Sequence, residues 1–232
     1  MDLWQRCLHG EASLLFNRYC DMRNESDGLA TLPLFLSIRA TVRAHVEASA
    51  VARQSDQAKR QERLTVARDY LMAARTFLGR QRPRLIAVSG LSGSGKSTLA
   101  GRLAPLVGAT PGARWLRTDV LRKRLAGVAP EARLPARAYT REATADVYNK
   151  LLDQARLALT TGVTVIVDGV FADVGERDAI VHLAERHRVP FTGLWLEAPP
   201  ETLRERVGAR RGDASDADGA VVDHQLGYKI GT

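Results

Sequence analysis

Apolar positions recur first at helical spacing and then, beyond residue 83, in short runs separated by longer helical stretches. Leu3, Trp4, Cys7, Leu8, Glu11, Leu14, Leu15 and Tyr19 keep mostly to a period near 3.6 and predict a helical opening. A second helix is predicted over residues 33–48, with Leu34, Phe35, Ile38, Val42 and Val46 on its apolar face and "NESDG" as the turn before it. The polar stretch "ARQSDQAKRQER" reads as a surface connection or as the exposed opening of a third helix. That helix has Leu64, Ala67, Leu71, Ala74 and Leu78 as its apolar positions and Pro83 as its end.

From Arg84 the rhythm changes. "RLIAVS" predicts a buried strand, residues 96–106 a helix, "RWLRT" a short strand and residues 140–159 a long helix. "VTVIVDG" predicts another strand, residues 174–187 a helix, and "FTGLWLE" a further strand, with no β run after Val222. Alternating β and α elements predict an α/β fold with a mostly parallel sheet of four or five strands, helices on both faces, and ligands beyond the carboxyl ends of the strands. The chain thus divides into a helical segment, residues 1–80, and an α/β domain, residues 81–232.

Composition narrows the class without setting the chemistry. Hydrophobic residues at 45% and charged residues at 26% are ordinary for a globular chain, which excludes a disordered or fibrous protein. A net charge of +8 suggests a polyanionic partner, but only five of the 34 basic residues are lysines, so the excess reads as a bias toward arginine. Nucleic acid is therefore the weaker expectation, and a small molecule the stronger. Cys7 and Cys20 form no CxxC pair and have no histidine at metal-ligand spacing, which fits a reducing, cytoplasmic setting. "MDLWQRCLHG" lacks the features of a signal peptide, and "LATLPLFLSI" is short and contains Pro33, so no membrane association is expected.

The segment "AVSGLSGSGKSTLA" carries the chemistry. Gly90, Gly95, Lys96 and Ser97 satisfy G-x-x-x-x-G-K-[ST] between a predicted strand and a predicted helix. In that setting Gly90, Leu91, Ser92, Gly93, Ser94, Gly95, Lys96, Ser97 and Thr98 wrap the backbone so that N–H groups converge on phosphate at a helix N-terminus. Lys96 neutralises the terminal phosphates and the Ser97 hydroxyl holds Mg²⁺, so ATP and Mg²⁺ are the expected cofactors. Asp168, ending "VTVIV", is the natural second contributor to the metal site; its alternative is a hydrogen-bond anchor at a strand end.

Transfer is favoured over hydrolysis by what surrounds the loop. A guanine clamp is missing, since "NKLLD" has the wrong spacing, and Asp168 is followed by Gly169 rather than by a water-activating glutamate. In "WLRTDVLRKRL", Asp119 stands where a strand turns into a helix and can accept the proton of an acceptor hydroxyl, or can serve only as a helix cap. Arg122, one turn on, can hold an anionic group of the acceptor, whereas Lys123 and Arg124 read as solvated. Arg114, Arg117 and Arg122 together point to an acceptor that is acidic or phosphorylated. Arg206, Arg210 and Arg211 precede a Gly/Ala/Ser/Asp stretch and suit a lid that closes over the triphosphate, unless they only offset a helix dipole. Asp213 and Asp216 would pair with them.

The segments "GLSGSGKSTLA", "RTDVLRKRL", "VIVDGVF", "GLWLEAPPETLRERV" and "RRGDASDA" resemble P-loop kinases of the gluconate kinase and zeta-toxin-like group. More closely, the chain resembles the ATP-binding half, of AAA type, of bacterial proteins in which that half is fused to an aminoglycoside phosphotransferase-like domain. "DLWQRCLHGEASLLFNRYCD" and "GLATLPLFLSIRATVRAHV" resemble the closing helices of that first part. The resemblance implies a P-loop NTPase three-layer sandwich and transfer of the γ-phosphate of ATP to a small hydroxyl compound. Lys96, Asp119, Arg206, Arg210 and Arg211 would be its catalytic residues. It assigns no aminoglycoside phosphorylation, because the H-x-D and DFD motifs of the phosphotransferase part are absent. A polynucleotide 5′-hydroxyl kinase and a catalytically silent ATP-binding module or fragment are the alternatives.

Overall fold

The computed structural model describes residues 1–23, 27–79, 81–129, 132–209, 214–228 and 230. Four helices come first: α1 (Asp2–Gln5), α2 (His9–Arg23), α3 (Leu32–Val51) and α4 (Gln57–Phe77). The remainder alternates as β1 (Leu85–Gly90), α5 (Lys96–Leu103), β2 (Arg114–Arg117), α6 (Thr118–Leu125), α7 (Arg141–Thr160), β3 (Val165–Asp168), α8 (Val174–His187), β4 (Phe191–Leu196), α9 (Pro200–Gly208) and α10 (Gly219–Leu226).

The strands form one all-parallel sheet in the order β2-β3-β1-β4. Period-two alternation sends Leu85, Ala87, Leu116, Val165 and Val167 to one face, where they pack with Leu151 and Ala155 of α7 and Ile180 and Leu183 of α8. Ile86, Val88 and Ile166 point the other way, against Ala100 of α5 and Ala104. The domain is therefore the expected α/β three-layer P-loop fold, with four strands among the described residues and a helical segment before them. Helix starts follow local chemistry: Asp56, Thr140, Asp173 and Asp218 each accept a hydrogen bond from a backbone N–H of the helix they precede.

Several expected faces are reversed. In α2 the buried residues are Ala12, Ser13, Asn17 and Cys20, while Leu14 and Leu15 are exposed. The cause lies in β2, an edge strand with unpaired backbone groups. Asn17 accepts from the Trp115 N–H at 2.7 Å and donates to the Ala113 carbonyl at 3.1 Å, so a polar side chain completes the sheet edge. Arg114, expected near the acceptor, is buried instead and donates to Asn17, to the Trp115 carbonyl and to Asp21 at 2.5 Å.

In α3 the packing residues are Ser37, Ala40 and Ala44, set against Tyr70, Ala73, Ala74 and Phe77 of α4. Small side chains let the two helices approach closely, and the predicted apolar row Leu34, Phe35, Ile38, Val42 and Val46 faces outward. Of the predicted face of α4, Ala67 and Ala74 are buried whereas Leu71 and Leu78 are exposed. That helix ends at Phe77, well before Pro83, with the Gly79 N–H closing its last turn on the Thr76 carbonyl. Among the described residues, no helix is long and apolar enough to cross a membrane.

Candidate active site

β1 delivers the chain to Gly90, and residues 91–95 turn it into the N-terminus of α5. Two of its glycines are required by geometry. Gly90 has φ +140°, and a Cβ there would lie 2.5 Å from the Leu196 carbonyl oxygen; Gly93 has φ +87°, and its Cβ would lie 2.5 Å from the Leu203 carbonyl oxygen. Leu91, Ser92, Ser94 and Gly95 complete the turn around them, and Thr98 lies in the first turn of α5. Gly95, also left-handed, is the N-cap of α5, so the α5 backbone N–H groups open toward the space where phosphate would sit. Lys96 is buried, and its ammonium donates to the Leu91 carbonyl at 3.4 Å, folded over the loop.

Asp168 ends β3 opposite Val88 of β1 and Arg117 of β2. Burial pushes its carboxyl upward, while Lys96, a hydrogen bond from the Ser97 hydroxyl and Arg117 pull it down. The Arg117 Nε lies 3.9 Å from Asp168 Oδ2, and the Arg117 guanidinium lies 4.9 Å from the Trp115 ring centroid. Asp168 Oδ2 and Ser94 Oγ are both buried and accept or donate no hydrogen bond among the described residues. Buried polar atoms left open in this way fit a hydrated cation and a phosphate oxygen as their missing partners. Ser97 and Asp168 are thus brought together, joined by a side-chain hydrogen bond.

Asp119 lies in the first turn of α6, part-exposed, close enough for its charge to bear on both Asp168 and Tyr139. The N-cap of α6 is Arg117, so Asp119 is the second residue of that helix rather than its cap. Arg206, near the end of α9, reaches the loop: its Nη1 donates to the Gly93 carbonyl at 3.4 Å and lies 3.9 Å from where a Gly95 Cβ would be. Arg210, Arg211 and Asp213 lie outside the described residues.

The remaining basic residues are disposed differently from expectation. Arg122 donates to the Ala138 carbonyl at 2.7 Å and to Thr144 Oγ1 at 3.3 Å, and it stacks over Tyr139 with 4.8 Å to the ring centroid. Lys123, expected in solvent, is fully buried and donates to Asp216 and to the Ala132 carbonyl. Asp216 is therefore tied to Lys123, the Leu134 N–H and the Tyr139 hydroxyl rather than to a lid arginine among the described residues. Burial works against the Asp216 carboxylate, yet these three donors hold it below the usual carboxylate range. Arg124 is half-buried, which lowers its basicity. Of the three arginines that pointed to an acidic acceptor, Arg117 stands beside Asp168, Arg122 lies over Tyr139, on which the Asp119 charge also bears, and Arg114 is buried against α2.

Two groups near the carboxyl end of β3 escaped the sequence. The buried Tyr148 hydroxyl accepts the Phe171 N–H at 3.0 Å and also bonds Glu176 in the first turn of α8. Burial pushes the Glu176 carboxyl up to about 7. A glutamate in a first helical turn is ordinary, so nothing local marked it.

Residues 85–228 match the family model of the AAA domain. The chain belongs to that family. Its domain is of the P-loop kinase-like, nucleotide-binding kind. The chain is 32% identical over 210 residues to uncharacterized proteins of Mycobacterium tuberculosis and Mycobacterium bovis, covering 85% of this chain and 40% of theirs. It thus spans well under half the length of those relatives. An adenylyl-sulfate kinase of Myxococcus xanthus is 28% identical over 129 residues, 56% of this chain and 65% of that one. Among solved structures, a sugar kinase from Janibacter aligns with TM-score 0.46 and 24% identity over 63% of this chain and 77% of that one.

Proposed function

We propose that this domain transfers the γ-phosphate of ATP to a hydroxyl group of a small molecule. The observation that carries the reading is the convergence of the buried Lys96, the Ser97 hydroxyl and the open Asp168 Oδ2 at the mouth of the loop, with Asp119 beside them. The loop amides and Lys96 would hold the phosphates. Ser97 and Asp168 would hold Mg²⁺, which when bound neutralises the developing charge on the phosphates. Asp119 would orient the acceptor hydroxyl and take its proton, and Arg206 would close on the loop from α9. The kinase among the relatives supports transfer over hydrolysis, as does the Gly169 that follows Asp168. Cytoplasmic residence suits this use of ATP and a chain whose two cysteines have no CxxC spacing.

The test is calorimetric titration of Mg-ATP, followed by an acceptor screen reading ADP release. Lys96→Ala should abolish binding; Asp119→Asn should bind ATP within about threefold of the parent while losing at least about a hundredfold in transfer. A parent chain that folds but does not bind, or a D119N variant that transfers at the parent rate, refutes the reading.

We further infer that α3 and α4 continue into a larger packing unit like the closing part of an aminoglycoside phosphotransferase-like domain. The outward row Leu34, Phe35, Ile38, Val42 and Val46 supports this, as does the greater length of the mycobacterial relatives. Ile38→Lys with Val42→Lys should cut binding of a hydrophobic dye while leaving the melting temperature unchanged. A loss of several degrees would mean that the row belongs to this chain's own core.

A further inference from the structure

α10 follows the last strand and has no counterpart in the phosphate-loop motif, yet it touches the loop directly. The Ser92 N–H donates to Gln225 Oε1 at 2.7 Å, and both residues are buried. The surrounding packing is apolar and continuous: Val222 of α10 and Leu203 and Val207 of α9 form one cluster, with Leu91 of the loop against it. On the α9 side the Gly93 Cα faces the Leu203 carbonyl so closely that no Cβ fits, and Arg206 donates to the Gly93 carbonyl. Consecutive loop residues are thus held by different helices, Ser92 by α10 and Gly93 by α9. The exposed Arg204–Asp223 pair, at 2.7 Å, joins those two helices.

Before the α5 N-terminus, a loop that aims several N–H groups at one anion must keep the other N–H groups pointed elsewhere. A buried amide without an acceptor is costly, so the loop would otherwise rotate Ser92 toward solvent or toward the phosphate space. We propose that Gln225 is a positioning residue for the phosphate loop. By accepting the Ser92 N–H, it fixes the turn between β1 and Gly93 and so presets the amides that follow for a di- or triphosphate. The proposal rests on the nucleotide-binding reading above. Its ligand class is the polyphosphate tail, independent of base and acceptor.

The experiment compares the parent, Q225M and V222A by calorimetric titration with Mg-ATP and with tripolyphosphate, and follows exchange of the Ser92 amide in the ligand-free parent. Methionine keeps the length of glutamine but offers no oxygen, whereas V222A loosens the same helix without touching the bond. Q225M should weaken both ligands about tenfold, the scale of one lost buried hydrogen bond. V222A should lower the melting temperature while leaving both affinities within about twofold. Equal affinity of Q225M and the parent overturns the proposal, and so does a V222A loss as large as that of Q225M. Slow exchange at Ser92 is expected. Exchange at the rate of an open loop overturns the bond even if Q225M fails to fold. If the parent binds no nucleotide, the nucleotide-binding reading and with it the proposed role of Gln225 in ligand affinity are refuted, while the Ser92 exchange still reports separately on the bond itself.

Discussion

Lys123→Met removes a fully buried ammonium whose side chain is 1% exposed and whose partner, the Asp216 carboxylate, is 11% exposed at 2.5 Å. Breaking one side of a buried pair generally costs about 3–5 kcal/mol, because the other charge is left without compensation. Here Asp216 keeps two donors, the Leu134 N–H at 2.9 Å and the Tyr139 hydroxyl at 2.6 Å, and retains some solvent. The expected loss therefore falls to about 2–3 kcal/mol, or a melting temperature lower by about 5–10 °C for a chain of this size. Asp216→Asn should cost at least as much, since it leaves the less exposed partner charged. The double variant should be no worse than the poorer single one, because the charge left behind is then gone. Urea unfolding with linear extrapolation reads all three, with the slope unchanged. The linkage has a definite sign. The Asp216 carboxyl is depressed below 3.8, so its contribution is fully present above that value and is lost as pH falls through the folded-state value; K123M should flatten this acid limb. A K123M variant within about 0.5 kcal/mol of the parent would refute the account of the pair as a structural tie between α6 and the segment before α10.

Glu176 has the opposite linkage: its folded carboxyl stands at about 7 against 4.5, so the folded state holds the proton between those values and stability falls as pH rises through them. After allowance for solvent screening of this partly exposed group, Glu176→Gln should be about 1–2 kcal/mol more stable than the parent at pH 8 and equal to it at pH 4, read from urea midpoints. Asn17→Leu strands the Trp115 N–H, the Ala113 carbonyl and part of Arg114 in a buried setting, and should cost about 3 kcal/mol with fast exchange at the Trp115 amide; Leu14→Ser, on the exposed face, should cost under about 0.5 kcal/mol. Gly93→Ala meets both a left-handed φ and the Leu203 carbonyl, so it should cost about 2 kcal/mol and weaken Mg-ATP more than tenfold, whereas Gly208→Ala, with open space around it, should do neither.

The features that the sequence determined by itself are those whose physics is local. Gly90 through Thr98 specify a turn and a helix start through backbone freedom and spacing, and the alternation of β and α runs specifies a parallel sheet with a ligand edge. The places of Asp168 and Asp119 in the fold were legible because one ends a strand and the other opens the helix that follows a strand. Tertiary structure decided the rest, because those interactions join residues far apart along the chain. Gln225 meets Ser92 across 133 positions, Lys123 meets Asp216 across 93, and Asn17 meets Trp115 across 98. Hydrophobic periodicity in α3 located an apolar row correctly, but a row says nothing about what covers it: the alanines pack against α4, and the large aliphatic side chains do not. A lysine in a basic run is equally uninformative until the fold sets a carboxylate beside it, since burial and partner, rather than residue type, decide whether a charge is solvated or paired.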